Sequence, residues 1–361
     1  MPKDAATPSP AIIDDPADLT PDWLTAALSS AGLDVSVASC RSEPVGTGQM
    51  AHNERIFLEY EAGAPADAPA TLVGKFPSPN EASRASGASG GYRAETLFYL
   101  ELARDLDCVT PACHYGAISE DQTTFTLLLE DLAPKQQGDQ IQGASDDEIE
   151  AAVRNLAGLH APRWGDPSLD SLDWVSAGIG DLFTTYIEMG TPAFIERYAD
   201  RLSSEDSATL STFAAGVKNW VERRPPTKTL VHGDYRLDNL MFEETSVGIQ
   251  VAAVDWQTLS IACGGRDLAY LLGNSSPPEQ RRAHEDRMLA AYHEEMNRLG
   301  VDISADQVRA DYVYGTFQGP SITMLGSLAV GQTDRGDEMF MAMASRCCAQ
   351  IRDLDALALL E

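Results

Sequence analysis

Basic residues are scarce in this chain, with 26 Lys and Arg against 55 Asp and Glu in 361 residues and a formal net charge of -29. No Lys/Arg run offsets that acidity, so a nucleic-acid backbone or an anionic membrane surface would be repelled. Neither is expected as a partner. The acidity reads as a solvated surface, with an acidic cleft for a cationic substrate as the sharper alternative. The 6 cysteines include no C-x-x-C pair and have no His at zinc spacing, so they read as free buried thiols, Cys347 and Cys348 included. Nothing approaches the roughly 18 apolar residues of a membrane span, and the N-terminus lacks the apolar core of a signal peptide. A cytoplasmic protein is expected, of unassigned oligomeric state. No repeat of 20 to 50 residues and no low-complexity tract appears.

What is present is a 43% hydrophobic chain, enough for two lobes around a cleft. Residues 1–17, rich in Ala, Pro and Asp, read as a flexible arm. Thr20 and Pro21 then supply a helix start as N-cap and first position. Ile56, Leu58 and Tyr60 alternate, and after a turn TLVGKF returns as a second strand carrying Lys75. A Ser/Gly-rich loop (ASRASGASGG) leads to YRAETLFYLELARDL, apolar at helical spacing, and FTLLLEDL supplies another buried strand. From Ser145, which opens a helix through Ile149, Val153, Leu156 and His160, amphipathic helical patterns dominate. The exception is central, where two short apolar strands in TLVHGDYRLDNLMF and IQVAAVDW each deliver polar residues at their ends. The pattern predicts an α+β chain with a β-sheet N-lobe over 18–130, a hinge near 130 and a larger, mainly helical C-lobe over 131–361.

The strongest chemical signal is His232-Gly233-Asp234-Tyr235-Arg236-Leu237-Asp238-Asn239, whose Asp and Asn keep the spacing of the kinase catalytic loop. Phosphoryl transfer needs a carboxylate to orient the attacking hydroxyl and an amide oxygen to hold Mg²⁺, roles that fit Asp234 and Asn239. Downstream, an apolar strand ends in Asp255, a second candidate Mg²⁺ ligand, with Trp256 and Gln257 where protein kinases have Phe-Gly. Upstream, Gly46 and Gly48 allow backbone amides to approach phosphates, and Lys75 with Glu95 fits a phosphate-contacting lysine and its carboxylate partner. Each alone reads equally as a turn, a cap or a surface charge; their order along the chain is what carries weight.

This order of motifs resembles the aminoglycoside phosphotransferase and kinase-like superfamily. HGDYRLDNLMF, VDWQ, GGRDLAYLL and LLLEDL are most similar to its bacterial branches related to ecdysteroid kinase-like proteins and to kinase domains fused to acyl-CoA dehydrogenases. The resemblance runs from about Gly46 to Leu272. It implies a two-lobed protein-kinase-like fold, Asp234 as base, Asn239 and Asp255 as Mg²⁺ ligands, and Lys75 on the phosphates, held by Glu95. It also implies that the Glu130 carbonyl and Leu132 amide face adenine with Leu129 behind it, and that Asp267 braces the metal loop.

The expected function is ATP- and Mg²⁺-dependent transfer of the γ-phosphate to a hydroxyl of a small molecule, in line, with no covalent enzyme intermediate. A nucleotide-binding pseudokinase is the alternative, and a protein kinase is disfavoured by the lack of an A-P-E segment. A metabolic alcohol or hydroxyacyl-CoA is preferred, by resemblance, over an aminoglycoside as acceptor. His160 and Trp164 are read as packing residues, Arg236 as either a contact to a phosphate or a substrate carboxylate or an internal salt bridge, and Gly138-Asp139-Gln140 as lining the cleft mouth.

Overall fold

The computed structural model describes residues 10–46, 50–176 and 181–361, with only the backbone of Asp181 and Leu182. The chain forms two compact units: one holds the chain up to Arg104, Thr110–Ala133 and Asp255–Gln257, the other Asp105–Val109, Pro134–Val254 and Thr258–Glu361. The unit changes after Ala133, and two short stretches cross: Asp105–Val109 belongs to the second unit and Asp255–Gln257 to the first.

The first unit contains α1 (Pro21–Ser30), β1 (Val37–Pro44), β2 (Ala51–Tyr60), β3 (Thr71–Pro77), α2 (Glu81–Ser86), α3 (Tyr92–Leu97), β4 (Cys113–Ile118) and β5 (Phe125–Glu130). Its antiparallel sheet runs β1-β2-β3-β5-β4. The Thr20 hydroxyl accepts the Trp23 N–H and Pro21 opens α1, so the helix starts where a missing N–H costs nothing. Ile56 and Leu58 face the core with Leu24, Leu28, Leu72 and Leu128, as their alternation predicts.

Two local expectations are corrected. Residues 10–13, placed in a flexible arm, are tied to the sheet: Ile13 is buried and exchanges hydrogen bonds with the Thr126 hydroxyl, while the Pro10 and Ala11 carbonyls accept from Tyr115 and Trp23. The Ser/Gly stretch is not a loop but α2, capped by Asn80, followed by a wide helical turn over Gly87–Gly91. Glycine is needed at 87 because a Cβ there would lie 2.2 Å from the buried Tyr92 ring, and at 90 because φ is +137°. A second wide turn, Phe98–Leu102, follows α3 and brings Phe98, Tyr99 and Leu102 into the core.

The second unit contains β6 (Gln136–Gln137), α4 (Asp146–His160), α5 (Asp181–Arg197), α6 (Ser204–Glu222), β7 (Thr229–Val231), β8 (Leu240–Thr245), β9 (Gly248–Ala253), β10 (Ser260–Ala262), α7 (Gly265–Asn274), α8 (Pro278–Arg298), α9 (Ala305–Gly315), α10 (Gln318–Ala329) and α11 (Asp334–Asp353). A Ser145–Glu148 capping box starts α4, whose Ile149, Val153 and Leu156 are fully buried. Short ribbons, β6-β8-β9 and β7-β10, interrupt the helices. Antiparallel pairing of Leu240 with Ala253 aligns the residues just before β8 with those just after β9.

Helices α7 and α9 approach through glycine. A Cβ on Gly315 would lie 2.0 Å from the Gly265 carbonyl oxygen, and one on Gly265 would lie 2.0 Å from the Asp311 carbonyl oxygen. Gly315→Ala is therefore expected to force the helices apart at a cost of about 1–3 kcal/mol, read as a lower urea midpoint at unchanged slope.

Candidate active site

In the first unit, β3 carries Lys75 and α3 carries Glu95. The lysine Nζ lies 2.6 and 2.7 Å from the two oxygens of the fully buried Glu95 carboxylate, and 3.4 Å from Oδ1 of Asp255. Burial alone would favour the neutral amine, but the charges of Glu95 and Asp255 outweigh it and raise the lysine pKa above its ordinary value. Glu95 also accepts from the Trp256 backbone N–H at 3.4 Å and from Gln257 Nε2 at 3.3 Å. The Trp256 indole stacks on Phe98 with centroids 3.8 Å apart and donates to Thr110. These contacts give the Trp-Gln pair a physical role: both residues lock the turn after Asp255 onto the helix that bears Glu95.

Asp255 has φ +68°, one of the few non-glycine residues in the left-handed region. Such strain persists where the surroundings over-determine it. Gly46, φ +74°, lies two residues beyond β1; Gly48 lies outside the described residues. Glu130 closes β5, its N–H bonded to the Ala112 carbonyl and its carboxylate accepting the Ala112 N–H, with Leu129 buried one residue earlier and Leu132 half-buried two residues on. Between Glu130 and Leu132 sits a residue the sequence did not single out. Asp131 takes a two-pronged ion pair from Arg55, at 2.7 and 3.1 Å, and accepts the Ala133 N–H.

In the second unit the catalytic-loop motif leaves β7 and turns sharply. Gly233 has φ +84°, and a Cβ there would lie 2.5 Å from the Thr258 carbonyl oxygen, so this position of the motif must be glycine. The fully buried Asp267, near the start of α7, accepts the N–H groups of His232 at 2.6 Å and Gly233 at 3.0 Å. Gln318 donates to the Gly233 carbonyl at 2.6 Å and is itself held by Arg266. Asp267 thus braces the His232–Gly233 turn, where the resemblance implied the metal loop. His160, whose Nε2 is 3.5 Å from Asp267 and whose Nδ1 is 2.7 Å from the Tyr292 hydroxyl, is a packing residue behind this brace.

The loop then presents Asp234. Asn239 Nδ2 lies 2.8 Å from Oδ2, the Tyr270 hydroxyl lies 2.8 Å from Oδ1, and Arg236 Nε stands 3.2 Å from the carboxylate. His232 ties the loop together: its Nδ1 accepts the Asp234 N–H and its Nε2–H donates to the carbonyl of Val254, the residue before Asp255. Val254 in turn donates its N–H to Asn239 at 3.0 Å. Of the two readings for Arg236, the internal ion pair is the one formed, with a 2.6 Å bridge to Asp238 as well as the contact to Asp234. Gln140, read as lining a cleft mouth, is instead fully buried, with its side chain bonded to Leu237 and Asn274 and its N–H to Asp238.

Asp255 in the first unit offers a partly exposed carboxylate, and Asn239 in the second, its amide nitrogen turned to Asp234, offers an amide oxygen; each is a hard oxygen donor of the kind a divalent cation takes.

Comparison with solved structures identifies the architecture. Aminoglycoside 2'-phosphotransferase-IIIa in its GDP complex matches with TM-score 0.54 and 16% identity over 91% of this chain and 99% of the other. This chain shares the protein-kinase-like fold of that enzyme. A GDP and kanamycin complex of the same kind of enzyme (TM-score 0.53, 16% identity, 91% and 98% covered) and an ethanolamine kinase of Plasmodium vivax (0.50, 11%, 87% and 83%) are also similar. A model of the ecdysteroid kinase-like family matches residues 176–303. No curated protein matches the sequence. At such identities the likeness establishes the kinase-like fold, and chemistry must be argued from the residues.

Burial would raise the pKa of Asp267, but the hydrogen bond from His160 and the Gly233 N–H hold it below the ordinary aspartate value. A carboxyl with a depressed folded pKa stabilises the native state above its unfolded pKa and loses that contribution as pH falls through the folded value. Asp267→Asn is expected to cost roughly 2–3 kcal/mol at neutral pH. The gap to the parent protein should close as pH drops below the ordinary value of 3.8, measured by urea unfolding across pH.

Proposed function

We propose that this kinase-like chain is an ATP- and Mg²⁺-dependent phosphotransferase that moves the γ-phosphate to a hydroxyl of a small molecule. The observation that carries the reading is Asp234. It is a carboxylate presented by a glycine turn, donated to on both oxygens, and still 21% exposed. A base that must orient an incoming hydroxyl needs this combination of fixed geometry and access. In this reading residues 18–130 serve the nucleotide and 131–361 the acceptor.

Lys75, kept charged and aimed by Glu95, contacts the α- and β-phosphates. Gly46 and Gly48 turn backbone amides to the phosphates, and the Glu130 carbonyl and Leu132 amide meet the adenine edge. Asn239 and Asp255 would each offer an oxygen to Mg²⁺, which would supply neutralisation of phosphate charge. Asp234 orients the acceptor hydroxyl and takes its proton as the new O–P bond forms and the β–γ bridge bond breaks, releasing ADP. The locked turn after Asp255 supports a site assembled without the Phe-Gly switch of protein kinases.

A metabolic alcohol or hydroxyacyl-CoA is proposed as acceptor in preference to an aminoglycoside-type antibiotic. The preference rests on the resemblance of HGDYRLDN to the dehydrogenase-fused branch. A cytoplasmic location is proposed with it.

Thermal-shift titration with ATP and with GTP, with and without Mg²⁺, tests the reading. Nucleotide at 100 times its dissociation constant should stabilise the native state by about 2.7 kcal/mol. Asp255→Ala should lose the Mg²⁺-dependent part. Asp234→Asn should keep nucleotide binding and lose phosphate transfer by about 10³-fold or more. Binding without transfer to any acceptor would favour a nucleotide-binding pseudokinase, and transfer undiminished in Asp234→Asn would exclude Asp234 as base.

A further inference from the structure

We propose that Tyr270 is a positioning residue for the reaction, its hydroxyl fixing the plane of the Asp234 carboxylate; this rests on the reading of Asp234 as the base. Tyr270 is fully buried on α7 and its hydroxyl lies 2.8 Å from Oδ1 of Asp234. The groups facing that carboxylate are Tyr270 on Oδ1, Asn239 on Oδ2 at 2.8 Å, and Arg236 Nε at 3.2 Å. Arg236 is anchored on its far side by Asp238.

These partners compete for one anion. A guanidinium prefers to face a carboxylate squarely, with both oxygens engaged. In that arrangement Asp234 would be drawn wholly into its ion pair and away from an acceptor. The tyrosine donor on Oδ1 and the amide donor on Oδ2 hold the carboxylate against that rotation. Tyr270 suits the task because it stays protonated: burial, with the neighbouring Asp234 charge adding to it, raises its pKa well above that of an ordinary tyrosine.

Asp267 and Tyr270 stand three positions apart on α7, so they share a face, one holding the loop backbone and the other the loop side chain. The helix is fastened by the Gly265–Gly315 crossing and by Gln350, which donates to the Ala269 carbonyl. The Tyr270 ring packs with Met339, Phe340 and Met343, so Tyr270→Phe keeps the packing and removes only the donor.

The test compares the parent protein, Tyr270→Phe and Asp234→Asn with Mg-ATP and, as acceptors, ethanolamine, kanamycin and water alone. Tyr270→Phe should lower kcat about 10- to 100-fold, with KM for ATP and ATP affinity within about twofold of the parent. A kcat equal to the parent overturns the proposal, as does a fall matched by equal losses of ATP affinity and thermal stability. Turnover retained in Asp234→Asn would instead refute the base assignment, whatever Tyr270→Phe does. Crystal structures of the parent and Tyr270→Phe decide the positioning role even without turnover. A carboxylate swung onto Arg236 in the variant supports it, and an unmoved carboxylate overturns it.

Discussion

A carboxylate with no exposure to water, Asp267, receives two consecutive backbone N–H groups from the turn that presents Asp234. Burying an anion is costly unless its lone pairs are filled, and here the donors that fill them belong to the loop itself. The loop cannot relax without stranding the charge. The opposite edge of the same turn is fixed by Gln318 on the Gly233 carbonyl, and Gly233 alone can take the backbone angle between these anchors. The position of Asp234 is therefore set by a helix start and a second helix's amide rather than by the loop's own preferences.

The first unit solves a parallel problem by a similar means. Glu95 is fully buried and takes donors from Lys75, Trp256 and Gln257. One carboxylate thus fixes both the Lys75 ammonium and the turn that delivers Asp255. In each unit a fully buried acidic side chain orders the polar groups around it, an arrangement of preorganised charge.

Much of this was legible in local sequence. The helix starts at Thr20-Pro21 and Ser145-Glu148 are short-range hydrogen-bond devices, and the alternation of Ile56 and Leu58 follows from the pleat. The Lys75–Glu95 pair was anticipated from motif order, and the two residues are brought together. What escaped notice depends on distant partners. Tyr270 meets a residue 36 positions away, Asp131 one 76 away, and Gln318 one 85 away, and nothing in their neighbourhoods marks them out. The Ser/Gly stretch misled for a different reason: intrinsic propensity disfavours helix there, but the Asn80 cap and the buried Tyr92 ring override it.

The sequence by itself determined the chemistry on offer: an aspartate and an asparagine at loop spacing, an aspartate at a strand end, a lysine in a strand and a glutamate in the following helix. These are choices of functional group, and they can be read one residue at a time. Only the tertiary structure decided how each group is held. It made Arg236 an internal ion pair, Gln140 a buried tie, Asp267 the brace of the His232–Gly233 turn and Tyr270 the second donor to Asp234. A side chain's partners are fixed by the packing of elements far apart in the chain, where burial makes every unfilled donor or acceptor expensive.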